Sequence, residues 1–79
     1  MPKKQEKLFI DKNRNSLSQR ELEVLSLVKE GLKNPEIAES LGLSIKTIEN
    51  HIRSILLKLD AKNRTDAVIL AIKNSILKI

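Results

Sequence analysis

The chain has no cysteine, no tryptophan and no tyrosine, and Phe9 is its single aromatic residue. Without cysteine there is neither a disulfide framework nor a thiolate metal site. Without aromatics there are no stacking platforms for unpaired bases, which argues against single-stranded nucleic acid as a ligand. No apolar run approaches the ~20 residues of a membrane span, and no signal-peptide core is visible, so a cytoplasmic protein with no membrane partner is the expectation. Internal repeats and low-complexity segments are also missing. The one histidine, His51, sits between Asn50 and Ile52 with no thiol to activate. Ser44 and Ser54 lie near it in the chain, but no carboxylate-oriented base accompanies them. No catalytic residue is assigned and an enzyme is not expected. The acids and His51 lack ligand spacing, so no metal or other cofactor is expected either.

What is present is a chain of 79 residues, 41% hydrophobic and 32% charged, which suits one small folded domain. A core of this size is marginal, and a partner can complete whatever apolar surface it leaves uncovered. The net charge is +5, and its distribution says more than its size. Residues 1–16 balance at +3, residues 17–43 at −2 and residues 44–79 at +4. Positive charge therefore gathers in the N-terminal tail and the C-terminal half, as a footprint for phosphates requires. Duplex DNA is the better nucleic-acid candidate.

The most informative stretch is Asn34-Pro-Glu-Ile-Ala-Glu-Ser-Leu-Gly-Leu-Ser-Ile-Lys-Thr-Ile-Glu-Asn-His-Ile-Arg53. It reads as a short helix, a glycine turn and a longer helix, the grammar of a helix-turn-helix. Asn34 is expected to cap the first helix, with Pro35 at its first position. Ile37, Ala38 and Leu41 give that helix one apolar face. Gly42 permits a left-handed turn, and Ser44 caps the next helix. In the second helix Ile45, Ile48, Ile52, Ile55, Leu56 and Leu59 fall on one side at 100° per residue. Lys46, Asn50, Arg53 and Ser54 lie on the other, with Thr47, Glu49, His51 and Lys58 on the flanks. Any solvated amphipathic helix shows such a division. This one offers Asn and Arg one turn apart, side chains able to pair with adenine and guanine edges.

Residues 1–15 are polar and basic apart from Leu8, Phe9 and Ile10, and read as a tail or linker. The domain proper is expected over residues 16–79. Ser18-Gln-Arg-Glu21 is a capping box that opens a helix ending at Gly31. Leu22, Val24, Leu25, Leu27 and Val28 make that helix broadly apolar, as a central scaffold would be. Asn63 and Asp66 are expected to cap a last helix over 64–77. It carries two apolar stripes. Ala67, Leu70, Ala71 and Leu77 are assigned to the core because alanine allows close approach. Val68, Ile69, Ile72 and Ile76 are left over and read as a dimer interface.

These residues together resemble a known family, the LuxR/FixJ-type (GerE-like) DNA-binding domains of bacterial transcription regulators. The likeness rests on Leu17-Ser-Gln-Arg-Glu-Leu-Glu-Val-Leu25, Gly31, Asn34-Pro-Glu-Ile-Ala38, Leu41, Leu43-Ser44, Thr47-Ile48, His51, Ile55, Lys58-Leu59, Arg64 and Ala67. It runs without a gap over roughly residues 17–77. Pro35, Glu49 and Asp60-Ala61 depart from the commonest pattern, which has basic residues at the first two places and glycine-valine at the third. The resemblance implies an all-α, four-helix domain containing a helix-turn-helix. It implies dimerisation through the last helix on short, roughly palindromic operators; because a single short helix buries little surface, the dimer is expected to be weak alone and strengthened on DNA. By the same analogy Glu49, Asn50 and Arg53 read bases, while Lys46, Thr47, His51 and Lys58 position the DNA backbone. Geometry alone would rank Lys46 beside Asn50 as a reader. Family members often carry an N-terminal receiver or ligand-sensing domain. The 79 residues fit a stand-alone member or a fragment of a longer regulator equally.

The expected function is thus sequence-specific duplex DNA binding at the nucleoid. The alternative is a sigma-like promoter-reading or polymerase-binding helical module, with RNA polymerase as a further candidate partner. Retardation of a duplex by the protein alone separates the two.

Overall fold

The computed structural model describes residues 17–79, which form four α-helices. The proposed tail of residues 1–15 and the boundary at Ser16 lie outside the described residues. Helix α1 spans Gln19–Lys29, α2 Asn34–Leu41, α3 Ile45–Leu59 and α4 Arg64–Lys73. Helix α3 packs on all three others, and α1 also touches α2 and α4, so these two make the centre of the domain.

The helix starts follow side-chain chemistry. Ser18 opens α1 with a reciprocal box: its Oγ accepts from Glu21 N at 3.0 Å, and Glu21 Oε1 accepts from Ser18 N at 2.9 Å. Ser44 Oγ accepts from Thr47 N at 3.0 Å to start α3, and Asn63 Oδ1 accepts from Asp66 N at 2.8 Å to start α4. Helix α2 differs from expectation. Its cap is Lys33, with extended backbone, and Asn34 is already the first helical residue. Pro35 is therefore second, still within the turn whose N–H groups have no helical partner. Lysine has no side-chain acceptor, so only the return bond forms, from Lys33 N to Glu36 Oε1 at 2.7 Å. The Asn34 amide serves tertiary structure instead: its Oδ1 accepts from Arg64 Nη1 at 2.7 Å, while Arg64 Nη2 donates to the Leu32 carbonyl at 3.2 Å. That pair of bonds ties the start of α4 to the loop before α2.

All four helices end the same way, with a left-handed residue and paired bonds back into the last turn. The left-handed positions are Gly31, Gly42, Asp60 and Ser75. The following residues reach back from Leu32 N to Leu27 O, Leu43 N to Ala38 O, Ala61 N to Leu56 O and Ile76 N to Ala71 O, all at 2.8–3.1 Å. The last of these corrects the expected end of α4. The helix stops at Lys73 and not at Leu77, because Ser75 at φ 61° turns the chain and Ile76 folds back on Ala71.

The core consists of Val24 and Leu25 from α1, Ile37 and Ala38 from α2, Ile48 and Ile55 from α3, and Ala67 and Ala71 from α4. Truncating Ile48 or Ile55 to alanine would cost about 2–5 kcal/mol, a large fraction of the stability of so small a domain. The alanine stripe of α4 faces inward as expected, but the rest of the division differs. Val68 and Ile76 pack against the core, whereas Leu70, assigned to it, stands outside the cluster with Ile72. Ile69 is 48% exposed. The four residues of the expected interface are therefore not one helical stripe. Its outward part is Ile69 and Ile72.

Candidate nucleic-acid interface

Gly42, in the left-handed conformation at φ 69°, reverses the chain between α2 and α3. Helix α2 is bound to the body through Ile37 and Ala38, and α3 through Ile48 and Ile55. The opposite side of α3 is thereby turned outward. Lys46, Glu49, Asn50 and Arg53 are exposed on it, and Thr47 and His51 are half-buried at its flank. The Thr47 hydroxyl lies 2.9 Å from that of Ser44, so it is part of the cap. Arg53 Nη1 donates to Asn50 Oδ1 at 3.1 Å, joining two of the expected base-reading side chains. One turn beyond Arg53, Leu57 is 77% exposed. The amphipathic pattern of α3 assigned no place to Leu57; its period, 53 to 57, puts it on the outward stripe.

Ser54 and Lys58 are placed elsewhere than the helical wheel suggests. The Ser54 hydroxyl donates to Glu21 Oε2 at 2.6 Å, and Lys58 Nζ donates to Glu21 Oε1 at 2.8 Å. Glu21, 5% exposed, therefore accepts from α1's own cap and from two successive turns of α3. Burial alone would push its carboxyl up. The hydrogen bonds from Lys58, Ser54 and the Ser18 backbone, with the charge of Lys58, outweigh that and lower it to about 2. The sequence showed Glu21 only as half of a capping box. Its tertiary role had a faint signal in Ser54 and Lys58, two polar residues at the i, i+4 spacing that brings side chains together on one side of a helix.

No helix among the described residues is long and apolar enough to cross a membrane. Among the same residues no group of three or more His, Asp or Glu side chains could hold a metal ion.

The family described as bacterial regulatory proteins, luxR family, matches residues 15–71. The chain belongs to the luxR family. The four-helix fold is accordingly that family's helix-turn-helix DNA-binding domain, a transcription-regulating module and not an enzyme. Similar proteins include the transcriptional regulatory protein LiaR of Bacillus subtilis (strain 168), 51% identical over 59 residues. That match covers 75% of this chain and 28% of LiaR. The response regulator protein VraR of Staphylococcus aureus (strain NCTC 8325 / PS 47) is 40% identical over 62 residues, 78% of this chain and 30% of VraR. A crystal structure of ChrA, the response regulator of a heme-sensing two-component system, superposes with a TM-score of 0.77 at 35% identity. It covers 86% of this chain and 34% of ChrA. The chain thus spans 28–34% of the length of these relatives.

Proposed function

We propose that this luxR-type domain binds duplex DNA sequence-specifically with α3 in the major groove. The observation that carries this is the outward face of α3. Lys46, Glu49, Asn50 and Arg53 are all exposed there, on a helix anchored through Ile48 and Ile55 and preceded by a tight glycine turn. A helix so presented can lower its side chains onto base edges while the body stays on the phosphates. Glu49, Asn50 and Arg53 are the base-reading set, Glu49 and Arg53 by direct contact and Asn50 through the Arg53 side chain it bonds. Lys46, Thr47, His51 and Lys58 position the backbone; Lys58 does so while anchored to Glu21, which fixes where its charge sits. Glu49 can only accept, so it selects an amino group such as that of cytosine.

Two subunits bind a roughly palindromic site. The outward face of α4, centred on Ile69 and Ile72 with Val68 at its edge and Ile76 just beyond the helix end, supplies the contact between them. So short a surface falls well below the ~800 Å² per partner of a stable interface, so the dimer is weak alone. Adjacent half-sites strengthen it by effective concentration. Such a regulator works at the nucleoid in the cytoplasm.

The test is duplex retardation across a salt titration. If two subunits neutralise roughly six to ten phosphates, affinity should fall by about 10³–10⁵ between 50 and 200 mM salt. A slope near zero would remove the DNA-binding role.

A further inference from the structure

The bond between Asn50 and Arg53 has a direction that the residue types alone do not give. Arginine carries five N–H donors and no acceptor, so the Asn50 group 3.1 Å from Arg53 Nη1 is its oxygen and the amide is fixed by that choice. Asparagine reads adenine with both ends of the amide, the oxygen accepting from the base amino group and the nitrogen donating to the ring. Here the oxygen is turned along the helix toward Arg53. The guanidinium has another acceptor at helical spacing in Glu49, four residues earlier, yet among the described residues it forms no ion pair with it. Glu49 is left to the solvent side. Arg53 keeps four of its five donors, enough for a forked contact on one guanine. A long, rotatable side chain is thus held before DNA arrives, which removes part of the ordering cost of binding.

We propose that Asn50 is a positioning residue that holds Arg53 for a guanine in each half-site, and is not itself an adenine reader. The assignment rests on the major-groove placement of α3 proposed above. With Glu49 selecting cytosine, each half-site then carries one guanine and one cytosine contact from α3, and no adenine is required opposite Asn50.

The test is site selection from random duplexes by the full chain, alongside Arg53→Ala, Asn50→Ala and Asn50→Asp. Arg53→Ala identifies the guanine position as the one whose preference vanishes. The parent should prefer guanine there by about 5- to 150-fold. Asn50→Ala should lower that ratio several-fold while removing no adenine elsewhere in the motif. Asn50→Asp is the discriminating variant. Its carboxylate still accepts from Arg53 but cannot donate to adenine. Its added negative charge weakens every site alike, so the ratio at the guanine position should return toward the parent's. Loss of an adenine preference in both Asn50 variants, with the guanine ratio untouched, would overturn the proposal. If the parent enriches no sequence at all, the placement of α3 fails first. Both side chains are exposed, and unchanged circular dichroism would verify that the variants fold.

Discussion

Glu21 and Asp60 are the residues whose surroundings make the sharpest demands on the fold. Glu21 is ionised in a buried place only because two donors from α3 and one from its own cap surround it. Its folded value of about 2 lies below the ordinary 4.5, so the stabilisation is complete above pH 4.5 and is lost as pH falls toward 2. The shift corresponds to about 3 kcal/mol as an order of magnitude. Glu21→Gln should therefore be markedly less stable than the parent at neutral pH, and the difference should shrink below pH 4. Urea unfolding at a series of pH values measures both; a constant difference would contradict the role given to the carboxylate. Asp60 is strained in another way. It takes the left-handed backbone at φ 54° after α3, where a β-carbon is unfavourable and a negative charge meets the negative end of the helix dipole. Asp60→Gly relieves both, and despite glycine's greater loss of chain entropy it should stabilise by about 1 kcal/mol. A melting temperature several degrees higher is the expected outcome.

At the scale of elements, the helix starts that rely on local chemistry were legible in the sequence. Ser18, Ser44 and Asn63 cap as their spacing to Glu21, Thr47 and Asp66 suggests, because each bond closes within three residues. Ser44→Ala should cost α3 about 1 kcal/mol in thermal unfolding. What was not legible depends on partners far along the chain. Asn34 yields its cap to bond Arg64, thirty residues away. Helix α4 ends early because Ser75 accepts a left-handed turn that lets Ile76 reach the core, and serine gives no glycine-like warning. Within the helix itself Val68 packs on the core and Leu70 does not, so the apolar residues of α4 divide differently from the helical wheel. Ile69 is now the most exposed of them on that helix, so Ile69→Glu should leave the monomer folded. It should weaken the complex with a two-half-site duplex while sparing binding to a single half-site. If Ile69→Glu binds the full site as the parent does, the dimer contact lies off α4.

Across the whole molecule, charge and packing point the same way. The +4 balance of residues 44–79 falls on the half of the chain that contains α3, while residues 17–43, which build much of the scaffold, balance at −2. The outward placement of Lys46, Asn50 and Arg53 was legible from the helical period because α3 is strongly two-sided, whereas the period left Glu49 on the flank and only the family resemblance offered it as a reader; the tether of Ser54 and Lys58 to Glu21 was not legible, since it joins α3 to α1 across the fold. The luxR-family match covers residues 15–71 and so takes in the scaffold, the turn and all of α3. The central claim is that α3 reads bases, and Glu49 addresses it most directly, because a change of sign there must change which base is chosen. Site selection from random duplexes should be run on the parent chain and on Glu49→Lys. The parent should enrich an inverted repeat with a cytosine contact in each half, and Glu49→Lys should move that position toward guanine, since lysine donates where glutamate accepts. An unchanged motif in Glu49→Lys, or no motif in the parent, would contradict the account.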